Sequence, residues 1–427
     1  MTTVTIVGLG YVGLPVACLC AEKGYRIFGL DTDKNKVDLV NKSQSPIDDA
    51  YVISRLSNPK NKVYATTNAS DCIPNSGIVI VCVPTPVDRE NSPDLTSLME
   101  SVSVISKFIK QGTILIVEST IYPGTTEELI IPLLKKQKFD PYKNDIFVAH
   151  CPERIDPGNR KWTIDNLPRV VGGLTKEAAK KAAEFYRNII NAEVLELSSI
   201  KAAEATKIME NTFRDVNIAF VNEMAKSFDK AGIDIIEVIK GASTKPFAFM
   251  PHYPGTGVGG HCIAQDPYYM IERGRQLGFN HEFLKLARKI NNNMPLYTVE
   301  LLENEMQKFR KSIKNAKIGV LGLAYKADVD DTRESPAFEV INILKTKGAV
   351  PYIFDPHVEK GGNVSGIDDL LNKSDYLILV TDHNEFKSMN LDKLKEKKIK
   401  VVIDGRNCLD KEKIKRLGIA YHGIGRR

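Results

Sequence analysis

The chain has 427 residues, 43% of them hydrophobic and 26% charged, with a formal net charge of +6. That length exceeds one ordinary core and predicts two or three globular domains. No apolar run reaches the roughly 18 residues of a membrane span, the lysines are dispersed rather than gathered into a nucleic-acid footprint, and seven cysteines without a C-x-x-C pair argue against a disulfide framework or a zinc site.

The first residues read directly as a strand, with no signal-peptide pattern, which points to the cytoplasm. Val4 to Leu9 is a short apolar run, and Gly8-Leu9-Gly10-Tyr11-Val12-Gly13 fits G-x-G-x-x-G at its exit. The first glycine permits a tight turn, the second lets backbone approach a pyrophosphate, and the third lets the following helix pack closely. A helix is predicted from about Leu14 to Lys23, stopped by Gly24, and a second strand from Tyr25 to Leu30 ends on Asp31. A carboxylate there accepts a ribose 2′,3′-diol and repels a 2′-phosphate, so the expected cofactor is NAD.

Strand-like runs recur at Ile78 to Val83, Thr113 to Val117, Asp145 to His150 and Glu193 to Leu197. Alternating with helical stretches, they predict a doubly wound parallel sheet over residues 1–197. Ligand loops belong at the strands' carboxyl ends, where Val83-Pro84-Thr85-Pro86, Glu118-Ser119-Thr120 and Cys151-Pro152-Glu153-Arg154 stand. From Ser199 to Ala231 no proline or glycine occurs, which predicts one long helix as the spine of a middle domain and a surface for a second subunit. On it Glu204, Lys207, Asn211 and Arg214 share a face, either as a functional set or as a solvated face with a Glu-Lys pair.

The run Gly257-Val258-Gly259-Gly260-His261-Cys262-Ile263-Ala264-Gln265-Asp266 sets one cysteine after a glycine-rich turn. Cys262 reads either as a thiolate nucleophile favoured by a following helix or as one more buried cysteine. Asp266 with Pro267 reads equally as a helix N-cap and first-turn pair. Helix is expected from about Pro267 to Phe309, interrupted near Gly278 and Pro295. Four strands of another parallel sheet follow, at Lys317 to Leu321, Tyr352 to Asp355, Tyr376 to Val380 and Val401 to Asp404. The first turn of that sheet, Gly319 to Lys326, echoes the opening fingerprint without its dinucleotide spacing and with an added lysine, so a different phosphate-bearing ligand is expected. Ser335-Pro336 reads as an N-cap and first residue of a helix.

Taken together, the glycine fingerprint, the three strand-end loops, the long helix, the Gly257 to Asp266 run and Asp331-Thr332-Arg333-Glu334-Ser335 resemble, in order and over essentially the whole chain, the UDP-glucose/GDP-mannose dehydrogenases. The resemblance implies two Rossmann-like doubly wound parallel-sheet domains joined by a central helical domain, divided as 1–197, 198–311 and 312–427. It implies NAD-dependent, four-electron oxidation of a UDP-sugar at C6 through a cysteine thiohemiacetal and thioester, for surface glycan synthesis. His261-Cys262-Ile263-Ala264 is similar to the branch acting on UDP-N-acetylhexosamines, with UDP-N-acetyl-D-mannosamine the implied substrate and its glucosamine epimer the alternative.

By the same resemblance, Cys262, Lys207, Asn211, Asp266, Glu153 and Thr120 carry catalysis. Gly8, Gly10, Tyr11, Val12, Gly13, Asp31, Thr85, Thr120 and Arg333 meet NAD. Arg154, Ile155, Lys207, Asn211, Arg214, Gly259, Tyr325, Lys326 and Arg406 meet the UDP-sugar. A homodimer or dimer of dimers is implied, with no metal, nucleic acid or membrane partner. In one departure, Lys245 to Gly255 contains no arginine, where related enzymes often supply one to a neighbouring subunit. Two rivals stand beside this reading: a two-electron dehydrogenase, which leaves Cys262 without work, and a protein that binds NAD and a nucleotide sugar without turnover.

Overall fold

The computed structural model describes residues 2–88, 90–155, 159 and 161–427, with the side chain of His261 left aside. Its chain packs as two compact units, Met1–Glu210 with Tyr268–Phe279, and Asn211–Pro267 with Asn280–Arg427.

The first unit is built on eight strands: β1 (Thr3–Val7), β2 (Arg26–Leu30), β3 (Val63–Thr66), β4 (Ile78–Val81), β5 (Ile114–Val117), β6 (Phe147–His150), β7 (Arg169–Gly173) and β8 (Val194–Leu197). Their order is β3-β2-β1-β4-β5-β6-β7-β8, so the chain reverses direction of winding between β1 and β4. A crevice opens at such a switch point, beyond the strands' carboxyl ends. The strands are near-continuous Val/Ile/Leu runs because both faces are covered, by Leu14, Val16 and Phe185 among one set of buried side chains and by Leu98, Ile105 and Leu134 among another.

Two features depart from the expected sheet. β3 and β7 are additional strands, and β7 runs antiparallel to β6, with His150 opposite Gly172. β7 reads Arg-Val-Val-Gly-Gly, and a charge at one end with two glycines at the other hides its strand character in the sequence.

In the second unit β9 (Lys317–Leu321), β10 (Val350–Phe354), β11 (Tyr376–Leu379), β12 (Val401–Asp404) and β13 (Ala420–Gly423) form a fully parallel sheet in the order β10-β9-β11-β12-β13. Here β13 is the strand that sequence reading misses. Ser335 caps the helix Pro336–Thr346, accepting from the Ala337 amide, as expected.

In chain order, β8 and β9 are separated by the long helix Ile200–Ala231 and the helices Ile235–Ala242, His261–Gln276, Glu282–Asn292 and Met294–Lys308. One expectation is corrected. The helix begins at His261 rather than near Pro267, and Pro267 lies inside it, so Asp266 and Pro267 are not its N-cap and first residue.

The second unit also contains a buried charge lock. His422 on β13 reaches Glu305 through Nδ1 (2.9 Å) and Asp229 through Nε2 (2.8 Å), and Arg427 also donates to Asp229. Burial disfavours charge on His422, but the bonds to Asp229 and Glu305 overcome it and raise its pKa. Against the same cost of burial, His422 and Arg427 lower Asp229 to about 2, and His422 and Lys308 lower Glu305. A raised histidine stabilises below its unfolded value of about 6.5 and less as pH climbs through the folded value; lowered carboxylates stabilise above about 4 and fail below it. The lock is therefore strongest between about pH 5 and 6.5. His422→Gln is expected to cost about 2 kcal/mol at pH 6 in urea unfolding, with the gap to the wild-type chain closing at pH 9.

Candidate active site

In the first unit the turn after β1 is shaped by contacts that only glycine tolerates. Gly8 has φ +94° with the Cys82 carbonyl directly beside it, a Cβ on Gly13 would collide with the Gly8 carbonyl, and Gly10 faces open space. The helix Gly13–Glu22 begins with no side-chain cap, and the positive end of its dipole favours an anion there. Asp31, just past β2, accepts from the Leu9 amide through Oδ2 (2.7 Å) and from the Asp33 amide through Oδ1 (2.9 Å), which fixes its carboxylate beside the turn. Tyr11 is exposed and Val12 half-buried at the turn's tip. An open backbone approach at Gly10, an uncapped helix N-terminus and a fixed acid are the features a dinucleotide needs, so these residues fit NAD.

The loops after β4 and β5 are tied together. Buried Thr85 donates through Oγ1 to the Thr120 carbonyl (2.8 Å), and its own carbonyl accepts from the Tyr269 hydroxyl (2.5 Å). After β6, Glu153 holds its own loop: Oε1 accepts from the amides of Arg154 (2.6 Å) and Ile155 (2.8 Å), while Oε2 lies 2.7 Å from Nη1 of buried Arg169. Arg154 is held by Glu210 (3.1 Å) and the Pro168 carbonyl.

Lys207 is half-buried on the long helix. Glu204, one turn earlier, is buried and accepts from the amides of Gly124 (2.6 Å) and Thr126 (2.9 Å). The reading of these residues as a solvated Glu-Lys face therefore fails at Glu204. His150, buried at the end of β6, has its pKa pushed down to about 3, first by burial and then by the charge of Lys207.

The second unit assembles the cysteine loop. Gly260 has φ +82°, and a Cβ there would stand 2.7 Å from the Tyr325 ring; a Cβ on Gly259 would stand 2.7 Å from the Tyr325 Cβ. The Gly260 amide donates to the Arg333 carbonyl (3.0 Å). Arg406 closes the other side of Tyr325, donating to its carbonyl (3.1 Å) and to that of Val380 (2.9 Å). Lys326 follows, half-buried.

Against this support Cys262 opens the helix His261–Gln276 and is the exposed one of the seven cysteines, so the buried-cysteine alternative fails. The Arg333 guanidinium is held by Asp331 (2.6 Å), which raises its pKa, and it lies within electrostatic range of Cys262. Buried Asp266 accepts from Asn211 Nδ2 (2.6 Å), and Arg214, one turn further along the long helix from Asn211, is exposed.

The echo turn after β9 differs from the first in its acid. Asp355 is buried and takes the amides of Leu323 (2.6 Å), Ala324 (2.9 Å) and His357 (2.8 Å) as well as His383 (3.0 Å). It is consumed internally and cannot serve a ribose as Asp31 can.

Residues that sequence reading did not single out are His150, Arg169 and Tyr269. Only the Cys151-Pro152-Glu153-Arg154 motif, beside which His150 lies, pointed near any of them. Arg169 sits on the unanticipated strand β7, and the partner of Tyr269 is 184 residues away in the chain.

Two nucleotide-binding folds joined by helices, one with a dinucleotide turn, define a class of nucleotide-dependent oxidoreductases. The chain belongs to the UDP-glucose/GDP-mannose dehydrogenase family, matching its NAD binding domain over residues 2–190, its central domain over 201–293 and its UDP binding domain over 319–411. It is similar to a UDP-N-acetyl-D-mannosamine dehydrogenase of Methanococcus maripaludis, with 34% identity covering 99% of this chain and 96% of that one. It is similar also to a UDP-N-acetyl-D-glucosamine 6-dehydrogenase of Pseudomonas aeruginosa, with 36% identity covering 96% and 98%. A solved UDP-D-ManNAc dehydrogenase from Pyrococcus horikoshii superposes with a TM-score of 0.92 at 34% identity, covering 100% of this chain and 99% of that one. No helix among the described residues is long and apolar enough to cross a membrane.

Gly260→Ala is expected to displace the Cys262 loop and lower kcat on the order of a hundredfold. NAD affinity, read by fluorescence titration of NADH, is expected to stay unchanged.

Proposed function

We propose that this chain oxidises UDP-N-acetyl-D-mannosamine at C6 to the uronate in two successive two-electron steps, with Cys262 holding the sugar between them. The observation that carries this reading is an exposed cysteine at the start of a helix, on a glycine run packed against Tyr325, in a chain that also has a dinucleotide turn. A dehydrogenase that removed only one hydride would need no such cysteine.

Gly8, Gly10, Tyr11, Val12, Gly13, Asp31, Thr85, Thr120 and Arg333 would hold NAD⁺, which would supply the hydride acceptor for each oxidation. Lys207 takes the C6 hydroxyl proton as the alcohol becomes an aldehyde, and then faces the oxyanion that follows. The Cys262 thiolate adds to the aldehyde carbon, giving a thiohemiacetal; loss of its C–H hydride and its hydroxyl proton gives a thioester. Water cleaves the C–S bond, releasing the carboxylate and the thiol. Asp266, oriented by Asn211 (2.6 Å), is positioned to take protons in that step.

With both Glu153 oxygens engaged, its part is to hold the backbone of Arg154 and Ile155. Those two residues, with Arg214, Gly259, Tyr325, Lys326 and Arg406, are proposed to receive the UDP-sugar. The proposed functional division is 1–197 for NAD, 198–311 for catalysis and subunit pairing, and 312–427 for UDP. A homodimer is supported by a groove of about 360 Å³ bordered by Phe220, Val238, Phe249 and Met250, which leave apolar surface exposed.

The glucosamine epimer remains a second reading, favoured by the 36% identity to the Pseudomonas enzyme. Limiting amounts of each C2 epimer, with excess NAD⁺, discriminate the two. Two NADH per sugar on the manno epimer alone is the expected result; two on the gluco epimer alone moves the substrate, and one NADH per sugar with free aldehyde overturns the cysteine mechanism.

A further inference from the structure

Behind the substrate loop the first unit buries two carboxylates on one guanidinium. Arg169, Glu118 and Glu153 are all at least 96% buried by side chain, and Arg169 Nη1 stands 2.7 Å from Glu153 and 3.7 Å from Glu118. Glu118 is completed by the Tyr186 hydroxyl, which donates to Oε1 (2.5 Å), and by the Cys82 thiol, which donates to Oε2 (3.6 Å). Among the described residues, Cys20, from the first helix, and Cys151, after β6, are further titratable groups facing it. Among these groups Arg169 is the one cation.

We propose that Glu118 is a positioning residue for the nucleotide-sugar loop: it shares Arg169 with Glu153, and so sets how firmly Glu153 grips the amides of Arg154 and Ile155. This rests on the reading of Arg154 and Ile155 as sugar contacts. One positive charge cannot balance two buried carboxylates, because a buried unpaired charge is too costly. One proton therefore stays with the pair. The unequal distances assign it: Arg169 sits against Glu153, whose carboxyl also takes two amide donors, and Glu118 holds the proton. Burial supports this by pushing Glu118 up to about 7.

When Glu118 ionises, it competes for Arg169 and loosens the grip on the loop. Since ionisation proceeds as pH rises, kcat/KM for the sugar is expected to fall through about pH 7 in the wild-type enzyme, with the KM for NAD⁺ unmoved. Glu118→Gln cannot ionise. Its profile should lack that limb, leaving it roughly tenfold above wild type one pH unit beyond the limb. Tyr186→Phe removes a donor that favours the anion, so its limb should move to higher pH.

Kinetics of the full-length enzyme at pH 6 to 9 decide the matter. A limb lost in E118Q and shifted upward in Y186F supports the proposal; a limb at the same pH in all three overturns it. If E118Q does not fold, the Y186F shift alone decides in the same way. If no UDP-sugar is turned over, the proposed reaction falls instead, and calorimetric titration with UDP-N-acetylmannosamine at the same pH values gives the same comparison for the loop.

Discussion

Tyr325 packs directly against backbone that has no side chains to push it away, and the placement of Cys262 follows from that contact. Gly259 and Gly260 let the ring approach to a distance that any Cβ would forbid, and the positive φ at Gly260 turns the chain into the helix that Cys262 opens. Arg406 fixes the carbonyl of the same tyrosine, and the Gly260 amide is tied to Arg333. A nucleophile on a loop is only as well placed as the loop is rigid. Here rigidity comes from one aromatic ring, one guanidinium and two backbone hydrogen-bond anchors, all far from Cys262 in sequence.

The same economy of buried polar groups recurs wherever a functional loop must stand still. Glu204 satisfies two amides of the 124–126 turn, Glu153 two amides of its own loop, and Thr85 joins the loops after β4 and β5. In each case a side chain closes backbone donors that no strand or helix satisfies, which a loop at a sheet end must arrange somehow. Asp31 and Asp355 mark how the two sheets diverged in use. Both follow the second strand of a Rossmann-like winding, but one is half-buried beside an open turn and the other is fully enclosed by its own turn.

Much of this was legible in the sequence, and the part that was not has a common physical cause. Local signals read well: the glycine fingerprint, the 32-residue helix without proline or glycine, the Ser335-Pro336 cap and most strands of both sheets. What failed depends on partners distant in the chain. The helix passes through Pro267 and begins at His261, because the glycine run stops at Gly260 and outweighs the Asp-Pro signal. β7 runs against its neighbour, and no periodicity reports direction. Arg169 looks like a surface charge on a weak strand, yet it lies at the centre of a buried cluster whose other members come from two strand-end loops and one helix.

Under the proposed function, a single thiol turns a two-electron dehydrogenase into a four-electron one. The most direct measurement is the NADH yield of Cys262→Ala with limiting UDP-N-acetylmannosamine and excess NAD⁺, alongside thermal unfolding to establish that the variant is folded. A folded protein whose yield stops at one NADH per sugar or below is the expected result. A yield of two from that variant would contradict it, because the second oxidation would then proceed without a covalent hold on the sugar.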